Sequence, residues 1–344
     1  VKSPDARQLS LWLWPDSKAA INKSWTGSRG RMKLQTAVAL TASKLDFQNM
    51  EYELDGETGK ANLAILVNGE RPIIDFHVAA ETIDIDNFVA GGLVALSPTN
   101  GEASLSSIME NFVNEQVKRD LRFALEATTL RLNGVESKDV AVELETTVKG
   151  FDLKKLEIGF ADGARLSARG LFLSTSNGTD GTAEIKFTAE DPRPLLRLSG
   201  LLPRENDPPW ADVLGKTDAR IGLQAKPSGV EPTTSFNLAG TAGNLKVASD
   251  GSFVSAGEGG GTRINGVTEL SSPASSTMFK LFGIPSDIPD AVPARLIVTA
   301  DGKFRDSYRV DADSDVYGSK LRFSGSLSSR DTGWGVAGKL AVAC

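Results

Sequence analysis

Apolar and polar residues alternate along most of this sequence. This period of two limits the fold more than any other feature, because side chains of a β-strand point alternately to opposite faces. Sets of apolar residues at this spacing recur along the chain: Leu63, Ile65 and Val67; Ile74, Phe76 and Val78; Val140, Val142 and Leu144; Leu156, Ile158 and Phe160; Ile185 and Phe187; Phe236 and Leu238; Leu321 and Phe323. Each set gives a strand one apolar face and one polar face. The sequence therefore predicts a mainly β protein.

Dipeptides that favour tight turns interrupt the alternation. Asn-Gly or Asp-Gly pairs occur at 55–56, 68–69, 133–134, 162–163, 177–178, 250–251, 265–266 and 301–302. These pairs reach the positive φ angles that two-residue hairpin turns require. They predict consecutive antiparallel strands rather than parallel strand–helix–strand units.

Two strand-like segments occur twice. Residues 44–56 align with 122–134 at an offset of 78, and in both segments the apolar residues change side near the middle. Residues 163–172 align without gaps with 318–327. Several hairpins followed by a short helix, repeated along a chain, are typical of a quasi-one-dimensional array.

Helical patterns are few. Residues 103–120 carry apolar residues at helical spacing on one face. Two shorter candidates, 191–203 and 275–285, place apolar residues before a Gly and a Pro, and 208–216 has the pattern of a single turn.

The length of 344 residues is enough for two or three domains or a row of repeats. We expect a β-groove unit with a first helical spacer at 1–102. A helix and a second β unit follow at 103–207, and one or more further β units at 208–344, with a short helix near 275–284. The chain is expected to be a fragment of a longer protein, with any membrane anchor outside it.

Composition excludes several classes of protein. Hydrophobic residues make up 40% and charged residues 24%, which is typical of a folded chain. The net charge of -6 argues against a nucleic-acid partner, which needs clustered Lys and Arg. Cys344 is the one cysteine, so no disulfide can form within the chain. The longest apolar run, at 88–96, is far shorter than the roughly 20 residues of a transmembrane helix.

Residue types that carry catalysis are scattered. His77 is the one histidine. It lies between the apolar Phe76 and Val78 in the alternation, which places it on the polar face of the strand, where we expect a structural role. The sequence has no Gly-x-Ser-x-Gly turn and no phosphate-binding glycine loop. We therefore predict no catalytic residues, no metal site and no cofactor, and a protein that is not an enzyme. A hydrolase that uses carboxylates would need paired Asp or Glu in a pocket.

One acidic stretch could bind Ca²⁺. Asp311, Asp313 and Asp315 lie on one face of a strand-like segment. A helix–loop–helix calcium site needs Gly at position six and Glu at position twelve, where this chain has Val316 and Arg322. A charged face in contact with solvent is the favoured interpretation.

The apolar faces of the predicted strands need a cover. A second sheet would give a sandwich, and closure would give a barrel. Three Tyr residues are few for the aromatic girdles of a membrane barrel. A long, curved sheet could instead leave its apolar lining partly open and bind acyl chains.

Parity identifies candidate residues for this interior lining: Leu63, Ile65, Val67, Ile74, Phe76, Val142, Leu144, Ile158, Phe160 and Phe187. Small residues such as Ala61, Ala64, Ala168 and Gly170 would leave room beside them. For each residue taken alone, a place in an ordinary core is favoured over contact with lipid.

The repeated strands resemble the AsmA family of bacterial envelope proteins. The similarity is strong over about 40–175 and 295–340 and faint over 205–290. It rests on repetition of short motifs: Leu130, Leu132 and Gly134; Val142 and Leu144; Gly318, Leu321 and Gly325. The family has a double Gly at the position of Gly318, where this chain has a single one.

The resemblance implies an elongated, strongly curved antiparallel β-sheet, a β-groove of repeated hairpin units with a few short helices. An array of β-sandwiches is the alternative. AsmA-like proteins are similar to bridge-like lipid transfer proteins, and an N-terminal helix anchors them in the inner membrane. The resemblance implies a periplasmic segment that binds or conducts phospholipid or other acyl-chain ligands and supports outer-membrane lipid homeostasis. Terminal segments outside this chain would reach the inner and outer membranes. A structural or scaffolding β-repeat protein of the envelope, without lipid cargo, is the alternative function.

Overall fold

The fold is mainly β, with few helices, in a computed structural model. The structure describes residues 2–3, 32–54, 57–67, 71–84, 120–132, 135–198, 202, 207–227, 233–255, 262–281, 292–303, 306–316, 319–330 and 333–343. The first nine strands are β1 (Lys2–Ser3), β2 (Met32–Leu40), β3 (Lys44–Leu54), β4 (Glu57–Leu66), β5 (Ile73–Asp84), β6 (Asp120–Leu132), β7 (Val135–Thr147), β8 (Gly150–Phe160) and β9 (Arg165–Thr175). The others are β10 (Gly178–Ala189), β11 (Thr217–Lys226), β12 (Thr233–Ala242), β13 (Leu245–Ser255), β14 (Thr262–Ser272), β15 (Ala294–Lys303), β16 (Ser307–Val316), β17 (Ser319–Arg330) and β18 (Gly333–Ala343).

Short helices form within the three short segments that the sequence indicates. They are α1 (Arg193–Leu198), a 3-10 helix (Pro209–Val213) and α2 (Ser275–Leu281). The longer helix predicted at 103–120 lies outside the described residues, except that Asp120 begins β6.

The chain divides into two compact units. Unit 1 contains residues 1–167 and 194–206, and unit 2 contains residues 168–193 and 207–344. This differs from the three sequence segments; their first boundary, after residue 102, lies outside the described residues.

Strands β2 to β8 of unit 1 pair in chain order. All of these pairs are antiparallel except β5–β6, which is parallel with Ile73 opposite Asp120. Parallel neighbours need a crossover connection in place of a hairpin, and the residues between Asp84 and Asp120 lie outside the described part of the chain. The prediction of antiparallel hairpins is wrong for this pair, because turn dipeptides report only on short connections.

A β-bulge explains why the apolar residues of 44–56 change side. The register of β3 on β4 shifts between Phe47 and Met50, and Asn49 between them has a φ of 48°. The backbone N–H of Asn49 donates to the Asn62 side-chain oxygen at 3.0 Å. One extra residue moves the following side chains to the other parity, so Phe47 and Met50 both contribute to the apolar face.

Unit 2 is more regular. In it β9 lies beside β10, and β10 to β18 pair antiparallel in chain order, with no register shift from β10 onward. The constant register aligns residues of successive strands in straight rows across the sheet.

Of the predicted turn pairs, those at 162–163 and 177–178 lie between consecutive strands, β8 and β9 and then β9 and β10. The pairs at 55–56, 68–69 and 133–134 lie outside the described residues, between strands that pair antiparallel. The pairs at 250–251, 265–266 and 301–302 lie within strands β13, β14 and β15, so the prediction of turns there is wrong. Close packing is the reason at the first two sites. Gly251 is opposite Gly266, and a Cβ atom on Gly251 would lie 2.6 Å from the ring of Phe236.

Candidate functional site

One face of unit 2 is apolar from strand to strand. Five parallel rows, spaced two residues apart along the strands, supply it, and we call this surface the unit 2 face. Its middle row runs through Ile185, Ile221, Leu238, Ser249, Thr268, Val298, Ala312, Phe323 and Leu340. The alternation in the sequence therefore becomes a continuous surface, because the register never shifts.

The opposite face of unit 2 is charged. Arginine–carboxylate pairs bridge neighbouring strands there: Arg263–Asp301 at 2.8 Å, Arg295–Glu269 at 2.7 Å and Arg322–Asp313 at 2.6 Å. Hydrogen bonds from the arginines hold the pKa values of Asp301 and Glu269 below their ordinary range. Asp311, Asp313 and Asp315 belong to this face, where the sequence predicts a charged, solvated surface.

A small core closes one end of the unit 2 face. Met278 of α2 packs with Leu245 and Ala294, and all three are buried. Partly buried residues surround this cluster: Val247, Leu270, Leu281, Leu296 and Val316. The helix therefore covers the rows at this end as an ordinary hydrophobic core does.

Away from that end, the middle row of the unit 2 face is partly exposed to solvent, while Val310 in the next row is buried. Leu238, Val298 and Phe323 of the middle row are only partly buried, and Leu340 is 66% exposed. Large apolar side chains in a packed core are nearly inaccessible, whereas these keep part of their surface in contact with solvent. Exposed apolar surface on a folded protein is a candidate for contact with a partner or an apolar ligand.

Unit 1 also has an apolar face, which we call the unit 1 face. Its central row runs through Val38, Phe47, Leu63, Phe76, Phe123, Leu144 and Leu153. The rings of Phe76 and Phe123 lie 6.1 Å apart across the parallel pair. Leu63 and Leu144 are buried, so this face is more fully covered than the unit 2 face.

The structure brings most of the predicted lining residues together. The central row of the unit 1 face contains Leu63, Phe76 and Leu144, and neighbouring rows contain Ile65 with Ile74, and Val142. Ile158 and Phe160 are buried in β8, and Phe187 is buried in unit 2.

Val67 is the exception among the predicted lining residues. It follows the last residue of β4, Leu66, and is 55% exposed. The alternation of apolar residues continues one residue beyond the end of β4, which is why the sequence pattern included Val67 in the predicted lining.

Sequence reasoning missed the open rows of unit 2. Ile221, Leu238, Val298 and Phe323 have the same alternation as the residues that were selected. The signal that separates them is exposure, which depends on what packs over a row. A sequence pattern predicts on which face of the sheet a side chain lies, but not whether another element packs over that side chain.

A cavity of about 560 Å³ lies at strands β2 to β4 of unit 1, lined by Lys33, Leu34, Gln35, Glu51, Tyr52, Glu53, Thr58, Gly59 and Lys60. The Lys33 ammonium pairs with Glu53 at 2.6 Å. Burial, and then the charge of Glu57, raise the pKa of the Tyr52 phenol. The lysines and glutamates of the lining balance one another, so the cavity has no excess charge for an ionic ligand.

His77 is exposed on the polar face of β5, as its parity predicts. No group of three or more His, Cys, Asp or Glu residues that could hold a metal ion occurs among the described residues. Within the same residues, no helix is long and apolar enough to cross a membrane.

Comparison with known proteins assigns no family to this chain. No protein-family model, no curated protein and no solved structure matches it. The resemblance to the AsmA family therefore stays a prediction, and the two apolar faces are the features from which a function can be argued.

Proposed function

We propose that this protein binds or conducts phospholipid acyl chains along its apolar β faces. It does so as the periplasmic segment of an AsmA-like, inner-membrane-anchored envelope protein, and thereby supports outer-membrane lipid homeostasis. The observation that carries the proposal is the partly exposed middle row of the unit 2 face, on a sheet whose other face is charged. A water-soluble ligand would gain nothing from such a surface, whereas a hydrocarbon chain would.

The energetics favour broad rather than specific binding. Each methylene group that leaves water for an apolar surface contributes about 0.8 kcal/mol. Rows on one face are about 7 Å apart along the strands and neighbouring strands are about 4.8 Å apart, so grooves between side chains repeat across the sheet. Many equivalent positions of similar free energy let an acyl chain bind without one deep site, which suits movement along the face.

The residues that we assign to acyl chains in unit 2 lie in the middle row, beyond the end of the strands that α2 covers. Leu238, Val298 and Phe323 offer partly exposed apolar surface there. Ser249 and Thr268, in the same row, share a hydrogen bond of 2.9 Å, so their hydroxyl groups are satisfied and do not oppose an apolar ligand. The action is passive, and the proposal assigns no bond-breaking step and no cofactor.

The assignment to the envelope rests on the resemblance of the sequence to the AsmA family. The inner and outer membranes would be the partners at the two ends of the longer protein. The net charge of -6 argues against nucleic acid as a partner.

A structural role without lipid is the second candidate. The core of Leu245, Met278 and Ala294, and the buried residues of the unit 1 face, are ordinary packed interiors. If all the apolar rows are covered in this way in the cell, the protein is a scaffold of stacked β units. This alternative predicts that the purified protein carries no lipid.

Lipid extraction tests the proposal. The protein is expressed with export to the periplasm, purified without detergent, and extracted with organic solvent for mass spectrometry. We expect co-purifying phospholipid, while a periplasmic protein without an apolar groove, treated identically, gives a background level. A well-folded sample that repeatedly yields only this background would support the scaffold and contradict lipid binding.

A further inference from the structure

Three cations surround Glu184 of β10 on the charged face of unit 2, and we call these four residues the Glu184 cluster. The Arg169 guanidinium donates to one carboxylate oxygen at 3.1 Å, while the Arg220 guanidinium and the Lys186 ammonium lie 2.5 Å and 3.6 Å from the other. The side chain of Glu184 is 16% exposed, whereas those of Arg169, Arg220 and Lys186 are 74%, 67% and 56% exposed. The cations therefore cover the carboxylate and face solvent themselves.

The Glu184 cluster carries more positive charge than its carboxylate balances. Burial would raise the pKa of Glu184, but the Arg169 hydrogen bond and the charges of Arg220 and Lys186 hold it below its ordinary range, so the carboxylate is ionised near neutral pH. Three cations and one anion leave an excess of two positive charges. Lys186 also lies directly opposite Arg220, and like charges in opposite positions are unfavourable. A second anion would relieve this repulsion.

Arg263 and Arg295 of the same face differ, because each has a carboxylate of its own. Nε and Nη2 of Arg263 donate to the two oxygens of Asp301 at 2.8 Å, and the same nitrogens of Arg295 donate to the two oxygens of Glu269 at 2.7 Å and 2.8 Å. The Arg169 guanidinium, by contrast, donates through Nη2 alone within the described residues. It keeps donors for a planar, bidentate contact with an oxyanion.

Strand β11 leaves space beside the cluster, and β12 adds a neutral donor. Gly222 lies opposite Glu184 and has no side chain, and its N–H donates to the side-chain oxygen of Asn237 at 3.0 Å. Asn237 is exposed, and its side-chain NH2 group can donate to a further acceptor.

Nearby carboxylates do not cancel the excess charge. Asp218 lies in the next row along the strands together with Lys246, so the charges of that row balance. Asp250 lies in the row of Glu184 but three strands away, about 14 Å at the usual strand spacing. The positive excess is therefore local to β9, β10 and β11.

We propose that the Glu184 cluster binds a phosphate group on the outer side of Arg169 and Arg220. A phosphate monoester carries a charge of about −1.5 to −2 near neutral pH, which matches the excess, and its oxygens accept bidentate hydrogen bonds from guanidinium groups. The source of the group is a lipid headgroup or a soluble phosphate compound. The site lies on the face opposite the acyl-chain rows, so the proposal does not depend on the binding of acyl chains.

Titration with inorganic phosphate, followed by phosphorus NMR at constant ionic strength, tests the site. We expect saturable binding to the unaltered chain, which the double substitution Arg169→Gln and Arg220→Gln weakens about tenfold or more. Arg263→Gln and Arg295→Gln together remove the same number of charges from the same face and are expected to leave binding unchanged. Circular dichroism confirms that both double variants fold.

Vesicle sedimentation distinguishes the two sources of phosphate. Vesicles of phosphatidylcholine with phosphatidic acid present a phosphate monoester at the headgroup, and vesicles of phosphatidylcholine alone do not. Sedimentation with the phosphatidic acid vesicles that the variant at Arg169 and Arg220 loses, and the control variant keeps, would assign the site to a lipid headgroup. Binding of inorganic phosphate without such sedimentation would assign it to a soluble phosphate compound.

A further measurement does not depend on a variant. In the unaltered chain, inorganic phosphate should shift the amide NMR signals of Arg169, Lys186 and Arg220 and leave those of Arg263 and Arg295 in place. The absence of saturable phosphate binding contradicts the proposal. Equal weakening by both double variants, or amide shifts that leave out the Glu184 cluster, would also contradict it.

Discussion

The two units use the same alternation to make faces of different character. In the unit 1 face, large side chains such as Leu63, Ile74, Leu121 and Leu144 are buried. In the unit 2 face, burial of large side chains concentrates near α2, where Leu245 and Met278 lie, and the middle row stays partly exposed. The middle of the unit 1 face is thus more deeply buried than the middle row of unit 2, although Val38 and Leu40 at its edge are 57% and 77% exposed.

Side-chain size contributes to this difference. The central row of unit 1 contains Leu63, Phe76 and Leu144, which fill space between strands. A row of unit 2 instead contains Gly251, Gly266, Ala300, Val310, Gly325 and Gly338, and aromatic rings from adjacent positions lie against several of these glycines. Small residues leave less apolar volume to pack, so the alternation of apolar and polar residues alone does not determine how deeply a face is buried.

An aspartate placed in each face should give the largest difference in stability between the two units. Leu144→Asp puts a carboxylate at a position that is 3% exposed and is expected to cost more than about 4 kcal/mol of unfolding free energy. Val298→Asp puts it at a partly exposed position, where water still reaches the carboxylate, and should cost about 1–2 kcal/mol. Urea unfolding followed by circular dichroism measures both. Equal losses would show that the two faces are equally buried.

Truncation of two leucines sharpens the contrast within unit 2. Leu245→Ala removes a side chain from the buried cluster with Met278 and should cost about 3 kcal/mol. Leu238→Ala removes one from the open middle row and should cost about 1 kcal/mol, because less apolar surface leaves the protein interior. The two variants have the same chemical change, so each is the control for the other. A larger loss for Leu238→Ala would mean that the middle row is covered.

A methyl group at a packed glycine should have an intermediate effect. Gly251→Ala brings a Cβ atom within 2.6 Å of the Phe236 ring and into contact with the Asn265 carbonyl oxygen, and should cost about 1–3 kcal/mol. Combining it with Phe236→Leu removes the contact with the ring, so the double variant should lose less than the sum of the single variants. Thermal unfolding of the four proteins measures this coupling. Additive losses would indicate that the ring does not restrict this site.

The ion pairs of the charged face should give the smallest effect. Arg295 lowers the pKa of Glu269, so the pair stabilises the folded state above the unfolded pKa of the glutamate. That stabilisation is lost as the pH falls through the lower, folded pKa. We expect Arg295→Gln to lower the unfolding temperature slightly near neutral pH, and not at a pH below the folded value or at high salt. A difference that persists in acid would assign the effect to packing of the arginine.

Much of the fold follows from local sequence signals. The alternation predicts the strands and the face of Leu63 or Phe76, and turn pairs such as Asn177-Gly178 mark hairpins, because both signals act within a few residues. The three short helices also follow from local patterns of apolar residues, Gly and Pro.

Features that depend on distant residues could not be predicted. The parallel β5–β6 pair joins strands that are separated by a long connection. The glycines at 251 and 266 have the sequence of turn residues, but they face each other under Phe236, which lies on a third strand. The open rows of unit 2 likewise depend on where α2 packs, and no local pattern carries that information.

A binding measurement with two adjacent substitutions tests the account most directly. Leu238→Glu places a carboxylate on the unit 2 face, and Ala239→Glu places the same charge on the opposite face, where residue 239 lies opposite Arg220. A fluorescent fatty-acyl probe is titrated with the detergent-free, delipidated protein and with both variants. The account predicts saturable binding that Leu238→Glu weakens about tenfold or more and Ala239→Glu leaves unchanged. No binding by the unaltered protein, or equal binding by both variants, would contradict it.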